Sequence, residues 1–329
     1  MADASAPVPA APAGPVPAPR PRWRRLLLPV LVFALLAIIP FLWGDRFVLG
    51  LVTRAMIMGI AALSLDLILG YGAMVSFGHA AFLGLGAYAV AILFDHGIVE
   101  AGIAFPVAIL VGAAFALVTG AISLKTRGVY FIMITLAFGQ MAYFTATSLS
   151  AYGGDDGLRM FHRSEVFGTR FLASDVTFYF VVLGTLVACY LLLAAVVASR
   201  FGRVLRGAKE NERRMRALGF DPFRYRLAAY VMSGAICALA GALFANLGMF
   251  VAPAYMTWQR SGEFIAMVVL GGMGTLVGPI IGAIGVTLVE EWLAAVTQHW
   301  KAIFGPLVIL VAIFARGGIV KLIDRGGGK

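Results

Sequence analysis

The sequence predicts an all-α polytopic membrane protein of about ten transmembrane helices, with two glycine-broken segments in a weak internal repeat. Three observations predict it. The 329 residues are 61% hydrophobic and 13% charged, whereas soluble domains carry roughly 25% charged and 45–50% apolar residues. The apolar positions number roughly 200, room for about ten helices at ~20 residues each. The 26 lysines and arginines also segregate, as shown below, to one side of the expected spans.

Residues 1–21, MADASAPVPAAPAGPVPAPRP, hold too little apolar bulk to fold and read as a polyproline-like tail. The expected boundaries are a disordered Pro/Ala-rich tail at 1–25, a transmembrane domain at 26–316 and a short tail at 317–329. The first apolar run could pass for a signal peptide. The tail before it is long, however, and no small-residue cleavage site follows Leu42 and Trp43, so a retained span is expected. Hydropathy places spans near 26–43, 48–69, 79–95, 102–124, 128–149, 176–199, 226–250, 262–275, 278–297 and 302–315. With a cytoplasmic N-terminus, 19 basic residues face inward, six face outward, and Arg54 lies inside the second span. That split obeys the positive-inside rule and puts both termini in the cytoplasm. The basic balance therefore reports topology and anionic lipid rather than nucleic acid. Cys189 and Cys237 fall in apolar runs, where packing is the expected role; neither a disulfide nor a metal framework is suggested.

Two connections are more than turns. The outer loop at 150–175 is rich in glycine and charge. The inner loop at 200–225 spaces Val204, Leu205, Ala208, Met215 and Leu218 helically, with Arg206, Lys209, Glu210, Arg213, Arg214 and Arg216 between them. Gly219 is a natural helix terminator. Asp221 and Pro222 read as the N-cap and first turn of the next span. A short amphipathic helix is thus expected between two spans, either lying on the inner leaflet or seated in a groove on a cytoplasmic partner.

The glycine-broken segments are LGYGAMVSFGHAAFLGLG (69–86) and LGGMGTLVGPIIGAIG (270–285), each between apolar runs. Matching interruptions in two halves point to a transport pathway, because unwound backbone needs water or a polar solute to satisfy it. Gly70, Gly72, Ser76, Gly78 and His79 in the first segment are the pathway candidates, with Gly271, Gly272, Gly274 and Gly278 in the second. Asp66 joins them, since a charge at the bilayer centre costs on the order of 2.5–3.5 kcal/mol and should face protein or water. The competing reading is close helix packing, for which Gly278 and Gly282, and the row Gly234, Ala238, Gly241, Ala245 and Gly248, are well spaced.

The sequence lacks GxxxxGK[ST], HExxH, CxxC and GxSxG, so neither a nucleotide site nor a catalytic or metal site is expected, and no cofactor. Apart from Asp66 the span centres hold almost no ionisable groups. That scarcity argues for energy delivered from outside the chain. The alternatives are a stand-alone ion-coupled carrier or channel using Asp66 and His79, and a membrane scaffold.

LSLDLILGYGAMVSFGHAAFLGLGAYAVAIL resembles the signature of permeases serving branched-chain amino-acid ABC importers. KTRGVYFIMITLAFGQMAYF and YGGDDGL resemble the LivM-type member of the permease pair. ALGFDPFRYRLAAYVMSGAICALAGALFANLGMFVAP and EFIAMVVLGGMGTLVGPIIGAIG are similar to the family's second half, so the resemblance runs from about residue 48 to 297. It implies a subunit of a bacterial inner-membrane importer. Its partners would be a LivH-type permease, two cytoplasmic ABC ATPases that hydrolyse the ATP, and a periplasmic solute-binding protein. The segment 206–219 would be the coupling helix, with Arg206, Glu210, Arg213, Arg214 and Gly219 at the ATPase. Gly153, Gly154, Gly157 and Leu158 match the family's outer loop, which would face the binding protein. At Asp66 the family pattern commonly has Asn, so the departure bears on the charge of the cavity. Family members also carry urea, short amides and aromatic acids.

Overall fold

The structure, a computed structural model, describes residues 22–42 and 44–297, with isolated positions at 299, 302–303, 305–306 and 318. The tail before residue 22, most of the expected last span at 302–315 and most of the C-terminal tail lie outside the described residues.

The helices run in chain order as α1 (Arg22–Leu42), α2 (Arg46–Leu69), α3 (His79–Asp95), α4 (Ala101–Ser123), α5 (Val129–Ser148), α6 (Asp175–Ala198), α7 (Arg200–Glu210), α8 (Glu212–Ala217), α9 (Pro222–Gly248), α10 (Trp258–Gly271) and α11 (Val277–Val296). Among the described residues six of them, α2, α4, α5, α6, α9 and α11, are long and apolar enough to cross a membrane. The protein is therefore an all-α multi-pass membrane protein, but the expectation of about ten spans is corrected. Of the other expected spans, most of 302–315 falls outside the described residues, α3 and α10 are shorter helices, and the apolar stretch of α1 is Leu27–Leu42. α10 has 14 residues, about 21 Å at 1.5 Å per residue, against a hydrocarbon core of roughly 30 Å. Hydropathy counts apolar residues without registering that 70–78 and 272–276 are used in turns.

α2 is the axis of the molecule. Every residue from Ala55 to Leu69 is buried, against α6, α9, α10 and α11. The outer helices differ: 78% of the most apolar window of α2 is buried, but only 28% of that of α4 or α5. Their exposed Leu110, Val118, Met133 and Phe144 form the apolar surface that lipid requires. In hydrocarbon the hydrophobic effect does not pull helices together, so close backbone approach must. α9 supplies it: a Cβ at Gly241 would overlap Leu83, one at Gly86 would overlap Ala238, and one at Gly112 would overlap Ala238. The row of small residues on α9 is thus a packing face for α3 and α4.

The outer loop is folded rather than slack. Two-residue strands β1 (Leu158–Arg159) and β2 (Phe250–Val251) pair antiparallel, Leu158 opposite Val251, and isolated bridges join Glu100 to Glu165 and Val166 to Thr169. Arg163 fixes the loop from beneath. It donates to the carbonyls of Asn246 (3.3 Å) and Leu172 (3.1 Å) and to Asp175 Oδ1 (2.6 Å), and its guanidinium lies 4.6 Å from the Phe178 ring centroid.

Candidate functional site

The first break begins where α2 runs into Leu69-Gly70-Tyr71-Gly72. Gly70 still bonds back helically, its N–H donating to Asp66 O at 2.7 Å. Ala73, with φ of +55°, then turns the chain out of the helix, a conformation that costs an L-residue energy. The second break begins after Gly271. Gly272 and Gly274 have φ of +122° and +73°, values that favour glycine. Thr275 bridges this turn, donating to Gly272 O at 2.7 Å and accepting from Gly278 N at 3.0 Å, which caps the start of α11.

The two breaks are stitched to each other. Asp66 Oδ1 accepts from Gly274 N at 2.7 Å. Tyr71 Oη donates to Gly274 O at 2.8 Å. A Cβ on Gly70 would overlap Asp66 Oδ1 and lie 2.5 Å from Gly274 N, so glycine is required by the approach of the second break. Of the expected pathway residues, Asp66, Gly70 and Gly274 come together here, with Gly272 in the turn that presents Gly274. Gly72 lies in the turn beside Ile68 and Met74. Gly271 and Gly278 instead form the α10–α11 crossing, where a Cβ on the first would overlap the carbonyl of the second.

Ser76, Gly78 and His79 form a separate group. Gly78 lies against α5, where a Cβ would overlap Thr135 O. His79 Nε2 is 2.9 Å from Ser64 Oγ, and Ser233 Oγ donates to Ser64 O at 2.5 Å. Rings of Phe82 and Phe264 pack edge-on around the imidazole. Ser76 and His79 are fully buried, and Asp66 and His79 share no hydrogen bond. The exposed tips of the breaks are Ala73 and Met273.

On the inner side the expected single amphipathic helix is corrected to two. Asn211 divides them, its φ of −152° leaving the helical region, and its Oδ1 accepts from Arg214 N at 3.0 Å as the cap of α8. Val204, Leu205 and Ala208 are buried as expected, whereas Leu218 is 64% exposed. Gly219, at φ +84°, closes α8: its N–H donates to Arg216 O, and that of Phe220 to Met215 O. Asp221 Oδ1 accepts from Phe223 N at 3.1 Å, so the expected cap of the following helix is present. Glu210, Arg213 and Arg214 are exposed. Arg206 is exposed as well but is tied back to the chain, donating to Val197 O at 3.1 Å, at the end of α6.

Sequence reasoning did not single out Glu212 or the partners of Arg54. Glu212 accepts from Arg127 (2.8 Å), Arg216 (2.6 Å) and Arg226 (2.9 Å), holding α8 to α9 and to the α4–α5 turn. Arg54 lies 3.5 Å from Glu290 and 3.9 Å from Glu291, across the α2–α11 contact. The pattern was an acid, two residues after Glu210, in a basic run, and one arginine in a span facing two acids near the end of another. On the outer side Gly153, Gly154 and Gly157 all have positive φ, and a Cβ on Gly157 would overlap Val251 O. These glycines shape the loop that seats Leu158 against β2 and leaves Asp155 and Asp156 exposed.

The pattern of one known family, described as a branched-chain amino acid transport system permease component, matches residues 47–313. The chain is 27% identical over 293 residues to the high-affinity branched-chain amino acid transport system permease protein LivM of Salmonella typhimurium, covering 82% of this chain and 69% of the relative. It is 25% identical to a probable LivM of Methanocaldococcus jannaschii, covering 79% of this chain and 89% of that one. A shorter likeness, 28% over 148 residues and 43% of each chain, links it to the autoinducer 2 import system permease protein LsrC of Salmonella typhi. No solved structure matches the chain.

Proposed function

From the premise that this chain belongs to the branched-chain amino acid permease family, we propose that it is the LivM-type half of an ATP-driven importer. The chain is a transport component rather than an enzyme. In this reading it pairs with a LivH-type permease, two cytoplasmic ABC ATPases supply the energy, and a periplasmic binding protein delivers the solute. The solute is a branched-chain amino acid or a related small polar molecule, selected largely by the binding protein. The chain lies in a bacterial inner membrane with both termini inside.

The observation that carries this reading is the inner helix pair. Its exposed acid and cations, Glu210, Arg213 and Arg214, stand on a segment fixed at its middle by Asn211 and at its end by Gly219. A surface so held can receive a push and pass it on. Alternating access follows when closure of the ATPases moves this pair and the stitched breaks rearrange around the solute. Within the pathway group, Asp66, Gly70, Gly72, Gly272 and Gly274 form the moving element. Ser76, Gly78, His79, Gly271 and Gly278 support it by packing. The loop shaped by Gly153, Gly154, Gly157 and Leu158, with Asp155 and Asp156 exposed at its tip, is the surface proposed for the binding protein.

Charge reversal of Arg213 and Arg214 to Glu tests the reading in vesicles holding the full assembly. Uptake is expected to fall about tenfold or more, the scale of lost interfacial charge pairs, with the chain still inserted. Uptake equal to wild type rejects the inner pair as the ATPase contact. A stand-alone carrier makes a different demand, a proton-dependent flux abolished by Asp66→Asn. The two buried groups it needs, Asp66 and His79, have separate partners.

A further inference from the structure

We propose that Lys209 is a positioning residue that ties the inner helix pair to both glycine breaks at once, an inference that rests on the importer reading and gives it a route. Lys209 stands one residue before the end of α7. Its Nζ donates to Gly70 O at 2.8 Å, the carbonyl of the residue that caps α2. A cation at that point meets the negative end of the helix and one of its open carbonyls.

Gly70 is also where the second break touches the first. On its other side lie Asp66 Oδ1 and Gly274 N, themselves bonded at 2.7 Å. The remaining oxygen, Asp66 Oδ2, is buried with no hydrogen-bond partner. A carboxylate with an open oxygen and a helix C-terminus thus meet at one glycine, and Lys209 is the cation that reaches that glycine. Neighbouring side chains of the inner pair anchor elsewhere. Arg206 holds the end of α6, and Arg226 of α9 reaches back to Ala208 O at 3.1 Å.

The loop therefore divides its labour at Asn211. α8, beyond it, carries exposed Arg213 and Arg214; α7, before it, is fastened to α2, α6 and α9. Of these fastenings only Lys209 acts on a residue that contacts the other break. Displacing α7 shifts Gly70, and through Asp66 and Gly274 it shifts the second break in the same motion. Asp66 and Lys209 have a joint function in this scheme: the carboxylate bonds one break to the other, and the ammonium bonds the pair to the inner helix.

The test is Lys209→Met beside Lys209→Arg in the full importer, reconstituted in proteoliposomes with ATP hydrolysis and solute uptake measured together. Lys209→Met is expected to lower uptake about tenfold, the scale of one charge-assisted hydrogen bond, while hydrolysis stays within about twofold, so more ATP is consumed per solute. Lys209→Arg, still a cationic donor, is expected to restore the ratio. A ratio in Lys209→Met equal to wild type overturns the proposal. A second measurement uses this chain alone in lipid nanodiscs, with Cys189 and Cys237 replaced by alanine and spin labels at Arg203→Cys on α7 and Met273→Cys on the second break. The distance distribution is expected to broaden in Lys209→Met and to narrow again in Lys209→Arg. An unchanged distribution removes the tie even where the variant does not assemble with partners. If the wild-type assembly shows no ATP-dependent uptake, the importer reading fails, and the label distances still decide whether Lys209 holds the breaks.

Discussion

Asp66 lies in the last turn of α2, buried on every side, and accepts the N–H of Gly274. Replacing it by alanine leaves that donor buried without an acceptor, at a cost of about 1–3 kcal/mol. Asparagine keeps an acceptor at the same reach. Thermal unfolding of the purified chain, followed by tryptophan fluorescence, is therefore expected to shift down clearly for Asp66→Ala and little for Asp66→Asn. Equal shifts would show that the bond to Gly274 is not what Asp66 contributes. The anomaly of an acid in a span was legible in the sequence, but its partner was not, since Gly274 stands 208 positions away and no local pattern links them. Lys209 was read as one more cation on a polar face, because spacing records which side of a helix a residue takes and not what its far end reaches. His79 was read as a pathway candidate at a helix start. Its enclosure by Ser64, Phe82 and Phe264 depends on three elements meeting.

At the scale of elements, the inner loop shows how far periodicity carries. Its apolar spacing, the Gly219 stop and the Asp221 cap were all readable; the stop and the cap are present, and the buried face holds through Ala208 but not at Leu218. The break at Asn211 was not, because helical spacing continues across it. The local signal was Asn211 itself, a residue that bonds its own following backbone more readily than it stays in a helix. Gly219→Ala is expected to destabilise α8 by about 1–2 kcal/mol, the cost of a left-handed conformation for an L-residue. Hydrogen exchange should then quicken at Arg216–Phe220 and not in α7. Uniform quickening through both helices would mean that they form one unit and that Asn211 is no divide. Glycines in the breaks were legible as breaks. Which of them turn the chain and which let helices cross was not, since both duties select the same residue.

At the scale of the whole molecule, the sequence disclosed an all-α membrane protein and overstated its spans, because hydropathy cannot tell a full crossing from a short helix that begins or ends at a buried turn. It also could not show that α2 is central while α4 and α5 are peripheral, as all three are comparably apolar. That arrangement rests on glycine crossings. Gly86→Val, whose side chain would overlap the backbone of Ala238, is expected to prevent assembly, whereas Gly102→Val, with open space at its Cβ, should be accepted. Detergent-resistant assembly on size exclusion distinguishes them, and a well-assembled Gly86→Val would argue that α3 and α9 do not approach so closely. The contacts of the central helix also fix an order of birth. α2 leaves the ribosome among the first spans, yet Gly274, Glu290 and Glu291, which pair with its Asp66 and Arg54, are translated among the last. At roughly 5–20 residues per second the wait is on the order of 10–40 s. Through that interval the nascent helix carries an uncompensated acid and base, so release into free lipid is disfavoured until the C-terminal spans arrive. The most deeply enclosed helix thus gains its polar partners about 200 residues after it is made.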